Sequence, residues 1–132
     1  MSTEKNKEIV KAFFDYSNHG DMDSSLELLS DNLVWTDMGT SRFAGTYEGK
    51  ETVLGELIGP LFSQLKSGIH TTIENIVSEG EYVVVQSSGR AETTEGVEYN
   101  NSYCQIFRVT NGKISEVVEY CDTALIGTVF GD

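Results

Sequence analysis

The stretch VEYNNSYCQIFRVTNGKISEVVEYCDTALIGTVF, residues 97–130, decides the fold. Two runs rich in β-branched and aromatic residues flank Thr110-Asn111-Gly112-Lys113, and Asn-Gly between alternating runs is the strongest short-range signal for a hairpin. Within those runs stand Asn101, Tyr103, Gln105 and Glu119, where a strand resting on a dry core would carry Val or Ile. A sheet face of that kind lines a pocket or an interface.

Working upstream, Glu79-Gly80 and Glu95-Gly96 are further turn signals, so four strands are expected at about 68–78, 81–94, 97–109 and 113–123, an antiparallel meander. Before them the apolar period changes from two to that of a helix. Ile9, Val10, Phe13 and Phe14 fall at helical spacing within residues 4–18, and Gly20 supplies the stop. Asp21 is placed to cap a second short helix running to Leu29, with Leu26 and Leu29 buried. Residues 32–37 read as a short strand. A third helix starts at Gly49-Lys50-Glu51 and carries Val53, Leu57 and Leu61 on its apolar stripe; Gly59-Pro60 bends or splits it, because Pro has no N–H and clashes with the preceding turn. Helices first and sheet second define an α+β fold, and residues 1–132 suit one domain with one core.

The net charge of −12 argues against a nucleic-acid partner, since phosphate binding needs clustered Lys and Arg. It equally disfavours an anionic membrane surface, and the scattered acids read as solubility. Cys104 and Cys121 match neither a disulfide framework nor a metal spacing, so free thiols in a reducing cytoplasm are expected. His19 at a helix end and His70 at a strand start are lone and read as structural. Neither metal nor cofactor is expected, because no ligand cluster or phosphate-cradling Gly loop stands out. No basic-then-apolar leader opens the chain and no apolar run nears the roughly 18 residues of a membrane span, so the expected location is cytoplasmic.

Turn geometry then sets which residues share a face. A two-residue turn at Glu95-Gly96 would pair Thr94 with Val97, Glu92 with Tyr99, Arg90 with Asn101 and Ser88 with Tyr103. At Asn111-Gly112 a two-residue loop would set Tyr103 opposite Tyr120, whereas a three-residue loop with a left-handed, bulged Gly112 would set it opposite Glu119 and Asn101 opposite Cys121. The second is favoured because it gathers Ser88, Arg90, Glu92, Asn101, Tyr103 and Glu119 on one face. Val83, Val85, Ala91, Cys104, Ile106 and Val118 then form an apolar opposite face.

The pattern Y-x-N-x-Y-C-x-x-F-R, followed by N-G-K-I-x-E-V-x-E-Y-x-D-T-A-L and preceded by W-x-D and G-T-Y-x-G-K-E, resembles the SnoaL-like and ketosteroid-isomerase-like branch of the NTF2-like superfamily, from about Ile9 to Phe130. The resemblance implies three N-terminal helices packed in a curved, mainly antiparallel sheet, a cone with a deep pocket. It puts the polar face inside and lets the outer face pair two subunits as a homodimer. Asp37 stands where the isomerase branch has its general base, and Trp35, two residues earlier on the strand, points the same way. Desolvation in an apolar pocket raises a carboxyl's pKa toward neutrality and suits it to moving protons. The Tyr of the isomerase oxyanion hole is replaced by Phe13, which cannot donate, and the sheet acid falls near Tyr103.

The epoxide-hydrolase branch, with its acid–Arg–acid relay, matches another subset. Arg90 and Glu92 give the Arg-x-acid pair, Glu119 the second acid, and Trp35 and Asp37 replace a Tyr and an Asn. Both acids here are Glu rather than Asp. Arg90 alternatively forms a buried ion pair with Glu119, whose disruption costs about 3–5 kcal/mol. The resulting expectation is a pocket for a small hydrophobic molecule of terpenoid, polyketide or steroid type. Its chemistry would be cofactor-independent isomerisation, cyclisation or hydration, with Asp37, Arg90, Tyr103 and Glu119 catalytic and Phe13, Trp35, Glu92 and Asn101 against the substrate. The alternative is a non-catalytic ligand-binding or dimerisation module.

Overall fold

The computed structural model describes residues 2–131. Helix α1 (Thr3–Asn18) begins where Ser2 Oγ accepts from the Lys5 N–H at 3.1 Å and stops before Gly20, whose φ of 79° is left-handed. The Asp21 carboxylate accepts from the Ser24 N–H and caps α2 (Met22–Glu27). That helix is shorter than expected: Leu29 is buried as the first residue of β1 (Leu29–Asp37), not as the last of a helix. A short β2 (Gly45–Glu48), absent from the sequence reading, returns beside it.

The third helical stretch is split, as Gly59-Pro60 implied. It runs as α3 (Lys50–Thr52), a π-helical turn over Val53–Ile58 and α4 (Gly59–Phe62). The Gly59 N–H reaches back five residues to the Leu54 carbonyl, and a Cβ on Gly59 would stand 2.7 Å from that oxygen. The wide turn therefore needs Gly here, and it delivers Pro60 to the first turn of α4, where its missing N–H does no harm.

Strands β3 (His70–Glu79), β4 (Tyr82–Arg90), β5 (Ser102–Thr110) and β6 (Lys113–Cys121) follow, then α5 (Thr123–Phe130). The sheet order is β2-β1-β6-β5-β4-β3; all neighbours are antiparallel except β1 and β6, which run parallel. Helix α5 is a second element that the sequence reading missed. Asp122 caps it through bonds from the Ala124 and Leu125 N–H groups, and its Phe130 ring meets Phe43 and Tyr99 edge-on at 5.5 and 4.9 Å. Among the described residues there are five α-helices rather than three, with α1 laid against β3 and β4. Phe13 and Phe14 of α1 meet the fully buried Phe107 edge-on, with ring centroids 6.0 and 5.7 Å apart.

The two decisive turns exchange their expected roles. At Asn111-Gly112 both residues are left-handed, with φ of 52° and 79°, the signature of a two-residue type I′ turn, and Thr110 pairs with Lys113. A bulge follows at Ser115, whose hydroxyl donates to the Arg108 carbonyl at 3.2 Å, so that Tyr103 lies opposite Cys121 and Gln105 opposite Glu119. The expected Tyr103–Glu119 pairing is off by two residues, an even slip that leaves both on one face. At Glu95-Gly96 the loop is the longer one: Thr93 and Val97 bond across Thr94-Glu95-Gly96, and only Gly96 is left-handed, at φ 90°.

This second change slips β4 against β5 by one residue. Ser87, not Ser88, lies opposite Tyr103, and Ser88 lies opposite Ser102. An odd slip turns every side chain over. Val83 and Val85 are therefore fully buried inside and Ala91 packs on the core, whereas Ser88, Arg90 and Glu92 go to the outer side. Cys104, Ile106 and Val118 are outside, as expected.

Candidate functional site

The concave sheet face carries one polar row that crosses three strands. Asp37 on β1 is the register partner of Glu119 on β6, and Glu119 is the partner of Gln105 on β5. The row opens into a cavity of about 110 Å³. Its roof is apolar, from Phe13 and Phe14 of α1 and from Leu57, Ile58, Leu61 and Phe62 of the split helix, and its floor includes Tyr103 and Ser87.

The row is wired in one direction. Trp35 Nε1–H donates to Asp37 Oδ1 at 2.9 Å, and Gln105 Nε2–H donates to Glu119 Oε1 at 2.7 Å. Burial raises the Asp37 carboxyl above the usual Asp range, against the lowering effect of hydrogen bonds from Glu119 and Trp35. Burial, then the negative charge of Asp37 and the bond to it, hold the Glu119 carboxyl well above the usual Glu range. Two carboxyls in contact in an apolar site cannot both ionise cheaply, so they keep one proton between them. The pair shares that proton beside two donors, Trp35 Nε1–H on the Asp37 side and Gln105 Nε2–H on the Glu119 side.

Tyr103 is held beside this pair. Its ring lies over Gly89, where a Cβ would stand 2.9 Å from both Tyr103 Cε2 and Ile69 Cγ2. Burial pushes its hydroxyl far above the ordinary phenol range, with Tyr99 and Glu119 adding to the rise, so it stays an O–H donor. The Tyr103 and Tyr99 hydroxyls are 3.5 Å apart. Cys121, opposite Tyr103, has its thiol pushed up to about 12 by burial and by the charges of Glu119 and Asp37, which keeps it protonated.

Of the residues expected at the site, Asp37, Glu119, Tyr103, Phe13 and Trp35 line the cavity together. Arg90 and Glu92 do not. Arg90 is exposed on the outer side as the register partner of His70, and Glu92 pairs with Lys66 at 3.2 Å, half-exposed. The acid–Arg–acid relay and the Arg90–Glu119 ion pair are therefore not assembled, because the one-residue slip carried Arg90 through the sheet. Asn101 is buried but supports rather than lines the cavity. Its Nδ2 donates to Tyr99 Oη and to the Asp122 carbonyl, and its Oδ1 accepts from the Asp122 N–H. Gln105, Ser87 and Tyr99 are among the cavity residues not assigned to the site from sequence. Gln105 had a signal, a polar side chain mid-strand between Cys104 and Ile106; Ser87 had none. Among the described residues no cluster of His, Cys, Asp and Glu is arranged for a metal, and no helix is long and apolar enough to cross a membrane.

With this geometry in view, comparison with known proteins is direct. Residues 10–117 match the SnoaL-like domain family, and the chain belongs to it. An NTF2-like protein of unknown function from Burkholderia pseudomallei superposes with a TM-score of 0.83 at 19% identity over 100% of both chains. A candidate isomerase from Bacillus subtilis gives 0.83 at 22% identity over 100% of this chain and 98% of that one. A candidate SnoaL-like polyketide cyclase from a Jannaschia species gives 0.79 at 19% identity over 98% and 93%. These likenesses carry the NTF2-like fold. No curated protein matches in sequence.

Two outcomes follow for stability. Arg90→Ala should leave it within about 0.5 kcal/mol of wild type in urea titrations, as for an exposed side chain, rather than the roughly 3–5 kcal/mol of a broken buried pair. The raised Glu119 pKa gives a signed pH effect. Between about pH 4.3, the unfolded value, and its higher folded value, the native state holds more proton than the unfolded chain. The stabilisation is full below that window and is lost as pH rises through it. Glu119→Gln should remove the Glu119 contribution to this slope, so the wild-type stability relative to the variant should fall as pH rises above about 4.3.

Proposed function

We propose that the cavity performs cofactor-independent proton transfer on a small apolar carbonyl compound of the terpenoid, polyketide or steroid kind. The observation that carries this reading is the pair of half-buried carboxyls that face a mainly apolar cavity, both with pKa raised first of all by desolvation. A pocket evolved only to hold a ligand has no need of a poised proton, whereas a general base works best when its pKa approaches the working pH.

In this reading Asp37 takes a proton from the carbon next to the carbonyl. Charge then develops on the carbonyl oxygen, and the Tyr103 O–H donates to it in a site shielded from water. The proton taken sits on the Asp37–Glu119 pair, which can return it to the far carbon of a conjugated double bond and so isomerise an unsaturated substrate; where the enolate instead attacks a second carbonyl to close a ring, the pair gives its proton to the alkoxide formed. Phe13 and Trp35 supply apolar walls, and Gln105 and Trp35 hold the pair in orientation. The names of the B. subtilis and Jannaschia neighbours, an isomerase and a cyclase, agree with these two outcomes.

We also propose a homodimer formed through the outer sheet face. Val77 (61% exposed), Val84, Ile106 and Val118 follow one another across adjacent strands, with Tyr82 and Tyr120 each 44% exposed nearby. Val84 and Val77 thus take the places expected for Val83 and Val85. A contiguous apolar stripe of this sort is unusual on a monomer. The rival reading of the chain, a binding or dimerisation module without chemistry, would use the same two surfaces.

Exchange of the methyl protons of acetophenone for deuterium, followed by proton NMR, tests the base. Asp37→Asn keeps the shape and the Trp35 bond, so it should lower the exchange rate by about 10²–10⁴-fold with stability little changed. Unchanged exchange in a destabilised variant would make Asp37 architecture and favour the binding module. For the dimer, light scattering at micromolar concentration should return twice the mass of one 14.6 kDa chain; the mass of a single chain would refute it.

A further inference from the structure

Two polar atoms on the cavity floor have no use in the proton-transfer scheme. Ser87 Oγ and Gln105 Oε1 are buried, in residues only 1% and 7% exposed, and neither finds a hydrogen-bond partner among the described residues. Both residues line the cavity. Ser87 lies across from Tyr103, and Gln105 is two residues along the same strand from Tyr103, so the two are diagonal neighbours on the concave face. Buried polar groups in native proteins are nearly always paired, and an orphan calls for a reason.

The Gln105 amide is oriented by its bond to Glu119: its Nε2–H donates to Glu119 Oε1 at 2.7 Å, so the N–H₂ side of the amide faces the carboxyl. Its carbonyl oxygen is left over as a fixed acceptor. Ser87 adds a hydroxyl that donates and accepts. A ligand hydroxyl satisfies both at once, donating to Gln105 Oε1 and accepting from Ser87 Oγ–H. A carbonyl or ether oxygen would leave Gln105 unpaired, and a hydrocarbon would leave both so.

We propose that Ser87 and Gln105 form a second polar subsite that takes a hydroxyl of the substrate, which makes the substrate class a hydroxylated carbonyl compound. The assignment rests on the reading of the cavity as a substrate site and refines it. Ser87 stands three strands from Asp37, a backbone separation of about 15 Å at strand spacing, which the inward-pointing side chains shorten. The carbon that gives up its proton to Asp37 and the hydroxyl held by Ser87 are thus separated by a spacer on the scale of a ring.

The probes are acetophenone and para-hydroxyacetophenone, with dissociation constants from NMR titration of the full chain. Wild type should prefer the hydroxylated ketone about tenfold, the worth of one well-made buried hydrogen bond. Ser87→Ala should reduce that preference to within about twofold without lowering the midpoint of thermal unfolding, since an unpaired buried hydroxyl stabilises nothing. Equal binding of the two ketones by wild type, a preference that survives in Ser87→Ala, or a lowered unfolding midpoint would each overturn the subsite. Asp37→Asn separates this from the catalytic reading: it should retain the preference for the hydroxylated ketone while losing deuterium exchange. A preference that depends on Ser87, alongside exchange that does not depend on Asp37, would leave the subsite standing and remove only the acid/base role.

Discussion

Left-handed backbone is open to Asn and Gly and nearly closed to Glu, and the concave face of this protein depends on that difference. A type I′ turn needs two left-handed residues in succession. Asn111 and Gly112 supply them, at φ 52° and 79°, so their hairpin closes in two residues. Glu95 does not enter that region; only Gly96 does, and its hairpin takes a third residue. One residue of loop length decides which half of β4 faces the helices. With it, Val83, Val85 and Ser87 turn inward and Arg90 turns out.

The cavity's charge state follows from that arrangement. Had Arg90 faced Glu119, a cation would have kept both carboxyls ionised, with pKa values driven down. With Arg90 outside, the pair has only hydrogen-bond donors for company, Trp35 Nε1 and Gln105 Nε2, and it keeps a proton. The sheet thus presents one negative charge and one neutral acid in place of a salt-bridged triad. A carboxylate kept basic by desolvation can abstract a proton; one clamped by a guanidinium cannot do so as readily. The site's chemistry is a consequence of register.

Much of this was legible in the chain. The α+β order, the caps at Asp21 and Gly20, the break at Gly59-Pro60 and the polar face around Tyr103 and Glu119 each rest on local chemistry that a few residues declare. Asp37 and Glu119 belong to strands far apart in sequence, and only the resemblance to a family brought them toward one site; their contact comes from the parallel β1–β6 pairing, which no local signal announces. The bulge at Ser115 was equally hidden, since its hydroxyl bond to the Arg108 carbonyl forms only once the strands are paired. Helix α5 escaped notice because Asp122 follows a strand directly, and its short apolar run reads equally well as more strand.

The polar row also explains how a charge can sit in so apolar a cavity. A lone buried carboxylate would protonate or draw in water. Here Asp37 accepts from Trp35, on its own strand, and faces Glu119 across the β1–β6 pairing, while Glu119 accepts from Gln105. Each donor faces an acceptor along the row, and directionality is preserved until Gln105 Oε1, the first atom without a partner among the described residues. The row therefore terminates inside the cavity instead of at its rim. The unpartnered Gln105 Oε1 thus lies on the same line of side chains as Asp37, two strands away, and leaves an acceptor facing the cavity.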